Sequence, residues 1–265
     1  MLDARRRACL EAIGIELWSR RSKDEPGGRA EDHVSVLHRA VRYPNPNPNQ
    51  NLPPLNDADA DADADAAARD TALPALDPVS SLGWDALRTM VADCHACALH
   101  QTRTQTVFGV GDPAADLMII GEAPGADEDR QGEPFVGRAG QLLTAMLAAI
   151  GLCREQVYIA NIIKCRPPGN RDPHSEEAAS CQAYLHRQIE LIGPRLILSV
   201  GRVSAHSLLG TEESVGRLRG RTHRFDPGDV PLIVTYHPAY LLRRPQEKAK
   251  AWQDLQVAHR LLAAS

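Results

Sequence analysis

No run of about 18 apolar residues occurs in the chain, so no helical membrane span is expected. Aromatic residues make up only 4% of the 265 positions, so each Phe, Tyr and Trp asks for a reason. Charge of one sign is scarce overall, with a net value of -4. Residues 1–78 carry 10 Lys/Arg against 14 Asp/Glu, so residues 79–265 carry 20 against 20. The acidity belongs to the N-terminal segment and leaves a DNA-binding surface open in the rest, because local patches decide that. The first residues are basic, but Glu11 and Glu16 interrupt any apolar signal core, which argues against secretion. Six cysteines in such a chain point to reduced thiols or a metal site, not to a disulfide framework. No Gly-Lys-Ser/Thr follows a glycine loop, so a Walker loop is excluded, and no dinucleotide fingerprint is present.

An apolar content of 43% supports a real core, and the length allows one or two domains. Residues 1–78 read as an extension. Within it, residues 9–22 place Leu10, Ile13, Leu17 and Trp18 at helical spacing, for a short helix that docks, frays or meets a partner. Residues 43–56, rich in Asn-Pro steps, read as extended and disordered. The Asp-Ala alternation over 57–68 defeats any apolar face and reads as a solvated linker, with an acidic competitor for DNA as the alternative. The sequence names no protein partner for residues 1–43.

Residues 79–265 read as the folded domain. Trp84, Leu87 and Val91 are spaced for a helix ending at Cys94. Buried strands are expected over 116–121, 157–160, 195–200 and 231–235, short and β-branched as doubly covered strands should be. Helices are expected over 139–150, from Ser175 to Gly193, over 202–209 and over about 246–263. This alternation predicts an α/β three-layer sandwich, with a four-stranded parallel sheet between helices. Ligands bind at the carboxyl ends of such strands. Gly121, Asn161, Gly201 and His237 fall there, so four distant segments converge on one crevice.

Cys94, Cys97, Cys165 and Cys181 form a C-x2-C pair followed by two single cysteines. Four thiolates hold either zinc or an iron–sulfur cluster. Compact zinc ribbons pair two C-x2-C knuckles, and here the second pair is split, which suits a larger cluster. Four ordinary buried cysteines are the plain alternative. Cys9 and Cys153 lack partners at useful spacing.

The glycines of Gly121-Glu-Ala-Pro-Gly125 let backbone amides of Glu122 and Ala123 approach a ligand. Glu128 is a base, a steric gate or a solvated loop residue. Phe135 stacks on a planar ligand or fills the core. Asn161 offers a donor and an acceptor to a base edge, or caps a turn. His237 donates to a developing anion or satisfies a local carbonyl.

Three runs together, GEAPGADEDRQGEPFVGRAGQLL, VYIANIIKCRPPGNR and HPAYLLR, resemble the family 4, iron–sulfur, uracil-DNA glycosylases over about residues 82–262. The resemblance implies cleavage of the bond between uracil and deoxyribose after the base is flipped out of the helix. It implies a 4Fe-4S cluster on Cys94, Cys97, Cys165 and Cys181. It assigns Phe135 to stack on uracil, Asn161 to read its Watson–Crick edge and His237 to hydrogen-bond O2 as charge builds. The backbone of Glu122 and Ala123 lines the pocket. Glu128 fills the space beside C5, where a thymine methyl would sit. The 240–243 loop enters the duplex, and Arg138, Lys164, Arg166, Arg171, Arg217, Arg219, Arg221 and Arg243 contact DNA. The aspartate that handles the attacking water in family 1 is replaced by Ala123, which leaves Glu122, Asp127 and Glu128 as candidates for that task.

A monomer acting on uracil-containing DNA, single- or double-stranded, in a bacterial cytoplasm at the nucleoid is the implied setting. A binding protein that traps uracil without turnover is the competing reading. The extra basic, His-containing loop of a covalently trapping branch is absent, because Lys164-Cys165-Arg166-Pro167-Pro168 follows Ile163 directly. A zinc-stabilised nucleic-acid module without activity is a third reading.

Overall fold

The four apolar runs become four neighbouring parallel strands in the computed structural model of the chain. The structure describes residues 79–264; the expected helix over 9–22, the Asn-Pro stretch and the Asp-Ala run lie outside them. The strands are β1 (Val110–Gly111), β2 (Leu117–Gly121), β3 (Tyr158–Asn161), β4 (Leu196–Val200), β5 (Thr222–Phe225) and β6 (Val230–Thr235). They pair in the order β1-β3-β2-β4-β6-β5. The inner four are parallel, whereas β1 and β5 are antiparallel to their neighbours. The sheet is therefore mixed and six-stranded, which corrects the expected four. Both additions sit at edges, one only two residues long and the other largely exposed. Neither needs the apolar run that marks a doubly covered strand.

The helices are α1 (Trp84–Ala92), α2 (Ala126–Gln131), α3 (Arg138–Ala149), α4 (Ser175–Ile192), α5 (Arg202–Leu209), α6 (Val215–Leu218), α7 (Pro238–Arg243) and α8 (Lys248–Ala263). Side chains alternate across the strands and build two cores. Leu117, Ile119, Leu198 and Ile233 pack with Leu143 and Met146 of α3 and Leu255 of α8. Met118, Ile120, Ile197 and Val234 pack with Leu185 and Ile189 of α4 and Ala205 of α5. Helix, sheet and helix thus form three layers. A satellite cluster of Leu87, Val91, Phe108 and Tyr184 seats α1 on α4.

Strand β2 pairs with both β3 and β4, so the chain order reverses about it. That reversal opens a crevice at the carboxyl ends of the strands, where ligands bind in such folds. The expected site segments leave the sheet at that edge.

Candidate active site

A cleft of about 470 Å³ opens there, lined by Glu122, Ala123, Gly125, Glu128, Phe135, Asn170, Arg171, Asp172, His237, Tyr240 and Arg243, among others. Five of the six pocket residues read from sequence share it. The sixth, Asn161, lies beneath, 2% exposed at the end of β3. Its Cα is in register with Gly121 on β2. A Cβ at Gly121 would stand 2.5 Å from Asn161 Oδ1 and 2.6 Å from the Phe135 ring. Glycine at 121 is what lets the amide and the ring converge. Asn161 Oδ1 is buried without a hydrogen-bond partner among the described residues. Such an orphan costs on the order of 1–3 kcal/mol, and a ligand that donates to it removes the cost.

Phe135 holds a left-handed backbone, φ 56°, which a bulky residue adopts only when its surroundings enforce it. Two contacts do so. A Cβ at Gly140, in the first turn of α3, would lie 1.6 Å from the Phe135 carbonyl oxygen, so only glycine admits that approach. Glu128, from α2, accepts the amides of Val136 and Gly137 on Oε1 at 3.0 and 3.3 Å. Its Oε2 accepts Gly125 N–H at 3.1 Å. Both carboxylate oxygens are thus engaged in tying the glycine loop to the loop that carries Phe135. The Phe135 ring stacks on His237, centroids 5.5 Å apart at 30°.

His237 is not in a loop, as expected, but caps α7. Pro238 occupies the first helical position, where its missing N–H costs nothing. The Ala239 amide donates to His237 Nδ1 at 3.1 Å. Nδ1 therefore carries no proton, and Nε2 carries it as a donor. Burial, reinforced by the nearby Arg243 cation, pushes His237 down to about 4. The ring is neutral at physiological pH and presents an N–H.

Glu122 faces Asp172, which forms an ion pair with Arg202. Burial first, and then the Asp172 carboxylate, push Glu122 up to about 7. Asp172 and Arg202 were not singled out from sequence, because neither adjoins an apolar run end in a recognisable motif. Asp127 turns outward to Arg130 at 2.5 Å.

The expected DNA-contacting cations divide. Arg138, Arg217, Arg221 and Arg243 are exposed. Arg166 is half-buried and donates to Asn170 Oδ1 at 2.7 Å. Arg171 lines the cleft, yet its two guanidinium nitrogens grip Glu177 at 2.7 and 2.8 Å and hold that carboxyl down at about 2. Lys164 is 1% exposed, and Arg219 is bidentate on the buried Asp254 at 3.0 and 2.8 Å. Lys164 does not reach a surface, and the half-buried Arg219 is engaged by Asp254. Thr235 donates to the same Asp254 at 2.9 Å, so α8 anchors the strand that leads to His237.

Cys94, Cys97, Cys165 and Cys181 line one small cavity, together with Arg103 and Lys164. Cys94 and Cys97 follow α1, Cys165 follows β3 and Cys181 lies in α4. No three His, Cys, Asp or Glu among the described residues are spaced to hold a single metal ion. The cavity thus brings together four thiols from three separate segments of the chain. Arg103 Nη1 donates to Cys165 Sγ at 3.1 Å and the Ala96 amide to Cys94 Sγ at 3.5 Å. Burial pushes the Cys165 thiol up and raises Cys181 to about 11, a cost that ligation as thiolate must meet. Asp129 joins the two sites, its carboxylate accepting the Thr104 amide at 2.9 Å between the cysteine pair and α2. Cys153 stands apart, bonded to Gln156.

The sheet, the cleft and the four-thiol cavity define a class of protein. The profile of the uracil DNA glycosylase superfamily matches residues 108–256, just over half of the chain. The chain is 46% identical over 170 residues to a type-4 uracil-DNA glycosylase of Archaeoglobus fulgidus, covering 62% of this chain and 85% of that one. It is 45% identical over 154 residues to a type-4 uracil-DNA glycosylase of Thermotoga maritima, covering 58% and 80%. A type-5 uracil-DNA glycosylase of Thermus thermophilus is 32% identical over 149 residues, covering 49% and 68%. The chain belongs to the uracil DNA glycosylase superfamily, in its type-4 branch. Among the described residues no helix is long and apolar enough to cross a membrane.

Proposed function

We propose that the chain removes uracil from DNA by hydrolysing its N-glycosidic bond, leaving an abasic site for base excision repair. The observation that carries this reading is the unpartnered amide oxygen of Asn161 beside a strained Phe135 and a neutral His237 that caps its helix. Phe135 gives a flipped base its π-face. Asn161 offers acceptor and donor to a base edge that is acceptor–donor–acceptor, which cytosine is not. His237 Nε2–H donates to O2 as the departing base becomes anionic; a preorganised donor of this kind contributes about 3 kcal/mol. Glu128 holds the loop and fills the space beside C5. Exposed Arg138, Arg217, Arg221 and Arg243, with the half-buried Arg166, supply phosphate contacts, which makes binding salt-sensitive.

The four cysteines fit a 4Fe-4S cluster, because they line one common cavity and four thiolates are its usual ligand set. When bound, such a cluster joins the segments that follow α1 and β3 to helix α4 and adds no step to the hydrolysis. Residues 79–265 form the catalytic unit, working as a monomer in the cytoplasm at the nucleoid, and residues 1–78 are an extension.

A uracil-containing oligonucleotide, incubated with the protein and then treated with alkali, should break at the uracil position. An unbroken strand that stays bound would favour trapping without turnover. The purified protein should carry about four irons, and Cys165→Ala should lose iron and solubility together. A colourless, active, zinc-loaded protein would overturn the cluster.

A further inference from the structure

Lys164 is a buried cation that the reaction does not use. Its Nζ donates to the main-chain oxygen of Asn161 at 3.0 Å and to Gln188 Oε1 at 2.6 Å. No carboxylate pairs with it among the described residues. Lys164 directly precedes Cys165 in the chain and lines the thiol cavity together with all four cysteines, Cys165 and Cys181 among them. Gln188 is held in turn, its Nε2 donating to the Phe108 carbonyl at 2.9 Å and to the Tyr158 hydroxyl at 3.3 Å. The ammonium thus sits between the four thiols and the residue that reads the base. A buried charge without an opposite partner is strongly unfavourable. Thiolates ligated to a cluster supply that partner.

We propose that Lys164 is a positioning residue that couples the four-thiol centre to uracil reading: its ammonium balances Cys165 and Cys181 at one end and fixes the Asn161 carbonyl at the other. This rests on the four-thiolate reading above. Removing the charge then alters two properties that have no other reason to move together. The centre becomes harder to reduce, because less positive charge offsets its electrons. Asn161 loses a charge-assisted bond that holds its strand end, and uracil affinity falls about tenfold.

Lys164→Met keeps length and burial but removes charge and donors. Iron content, dye-mediated redox titration and single-turnover uracil excision should be measured on it beside the wild type. The expected result is retained iron, a more negative midpoint potential and a raised half-saturating enzyme concentration, with less change in the saturated rate. Gln188→Glu serves if Lys164→Met loses iron. It places a carboxylate against the ammonium, away from the thiols, and draws its field from them, so the potential should again fall. Iron-loaded variants with unshifted potential, or with unchanged uracil affinity, overturn the inference alone. A wild type that binds no iron on reconstitution overturns the four-thiolate reading and this inference with it.

Discussion

Replacing His237 by alanine tests the chemistry most directly. Two consequences can be worked from its geometry. The first is catalytic. The Ala239 amide on Nδ1 at 3.1 Å leaves Nε2–H as the donor. A fixed donor to a developing oxyanion contributes about 3 kcal/mol, so the saturated excision rate should fall on the order of 10²-fold. Affinity for uracil-containing DNA should change little, because the hydrogen bond strengthens mainly as the base turns anionic. The second is structural. Loss of the cap on α7 costs about 1 kcal/mol. His237→Asn separates the two, since asparagine caps well but places no donor where the imidazole had it. Single-turnover excision and direct binding to an oligonucleotide with a non-cleavable uracil analogue, side by side, read both. The pH dependence adds a signature. His237 is pushed down to about 4, so its neutral form persists from pH 7 to about pH 5. The ratio of wild-type to His237→Ala rates should therefore stay constant over that range. A variant that binds poorly yet cleaves at the normal rate once saturated would refute the leaving-group role.

Asn161→Asp replaces a donor with an acceptor that opposes uracil O4 and suits the cytosine amino group; uracil excision should drop strongly, with trace cytosine release, and undiminished uracil excision would remove Asn161 from base reading. Arg219→Ala leaves Asp254 charged and buried without its partner, so urea unfolding should show a loss of about 3–5 kcal/mol; a loss under about 1 kcal/mol would free Arg219 for DNA. Deleting residues 1–78 should leave uracil excision within a few-fold of the full chain; a large loss would place that segment in the catalytic unit, and a large gain at low salt would favour competition by the acidic run.

The inner sheet was legible because Leu117–Gly121, Leu196–Val200 and their neighbours are buried on both faces, which forces continuous apolar runs. The edge strands were not, since Thr222–Phe225 alternates exposed and half-buried residues and reads as polar loop. Helix α2, ADEDRQ, has no apolar face, and α7 was read as a loop although Pro238 after a capping residue is a helix start signal. Charged residues were read as surface, and there the sequence misled. Lys164 follows the buried pair Ile162-Ile163, and Asp254 shares a helical face with Ala251, Leu255 and Ala258. A polar residue on an apolar stripe was the available clue for Asp254, and for Gln188 beside Leu185 and Ile189. The cysteine cavity was the most legible part of all, because thiols at that spacing have few other uses. The Asp172–Arg202 pair left no trace, since only the folded chain brings positions 122, 172 and 202 together.

Gly121 and Asn161 stand opposite each other on adjacent strands, paired at the last rung of the inner sheet. The strand end that feeds the pocket loop and the side chain proposed to read the base are therefore parts of one stiff plate. They cannot be adjusted separately by bending backbone. An engineer who wants this pocket to accept a different nucleobase has to exchange side chains on a fixed frame. The useful positions are those that do not hold the frame itself, and Glu128, Gly140 and Gly121 are poor places to begin.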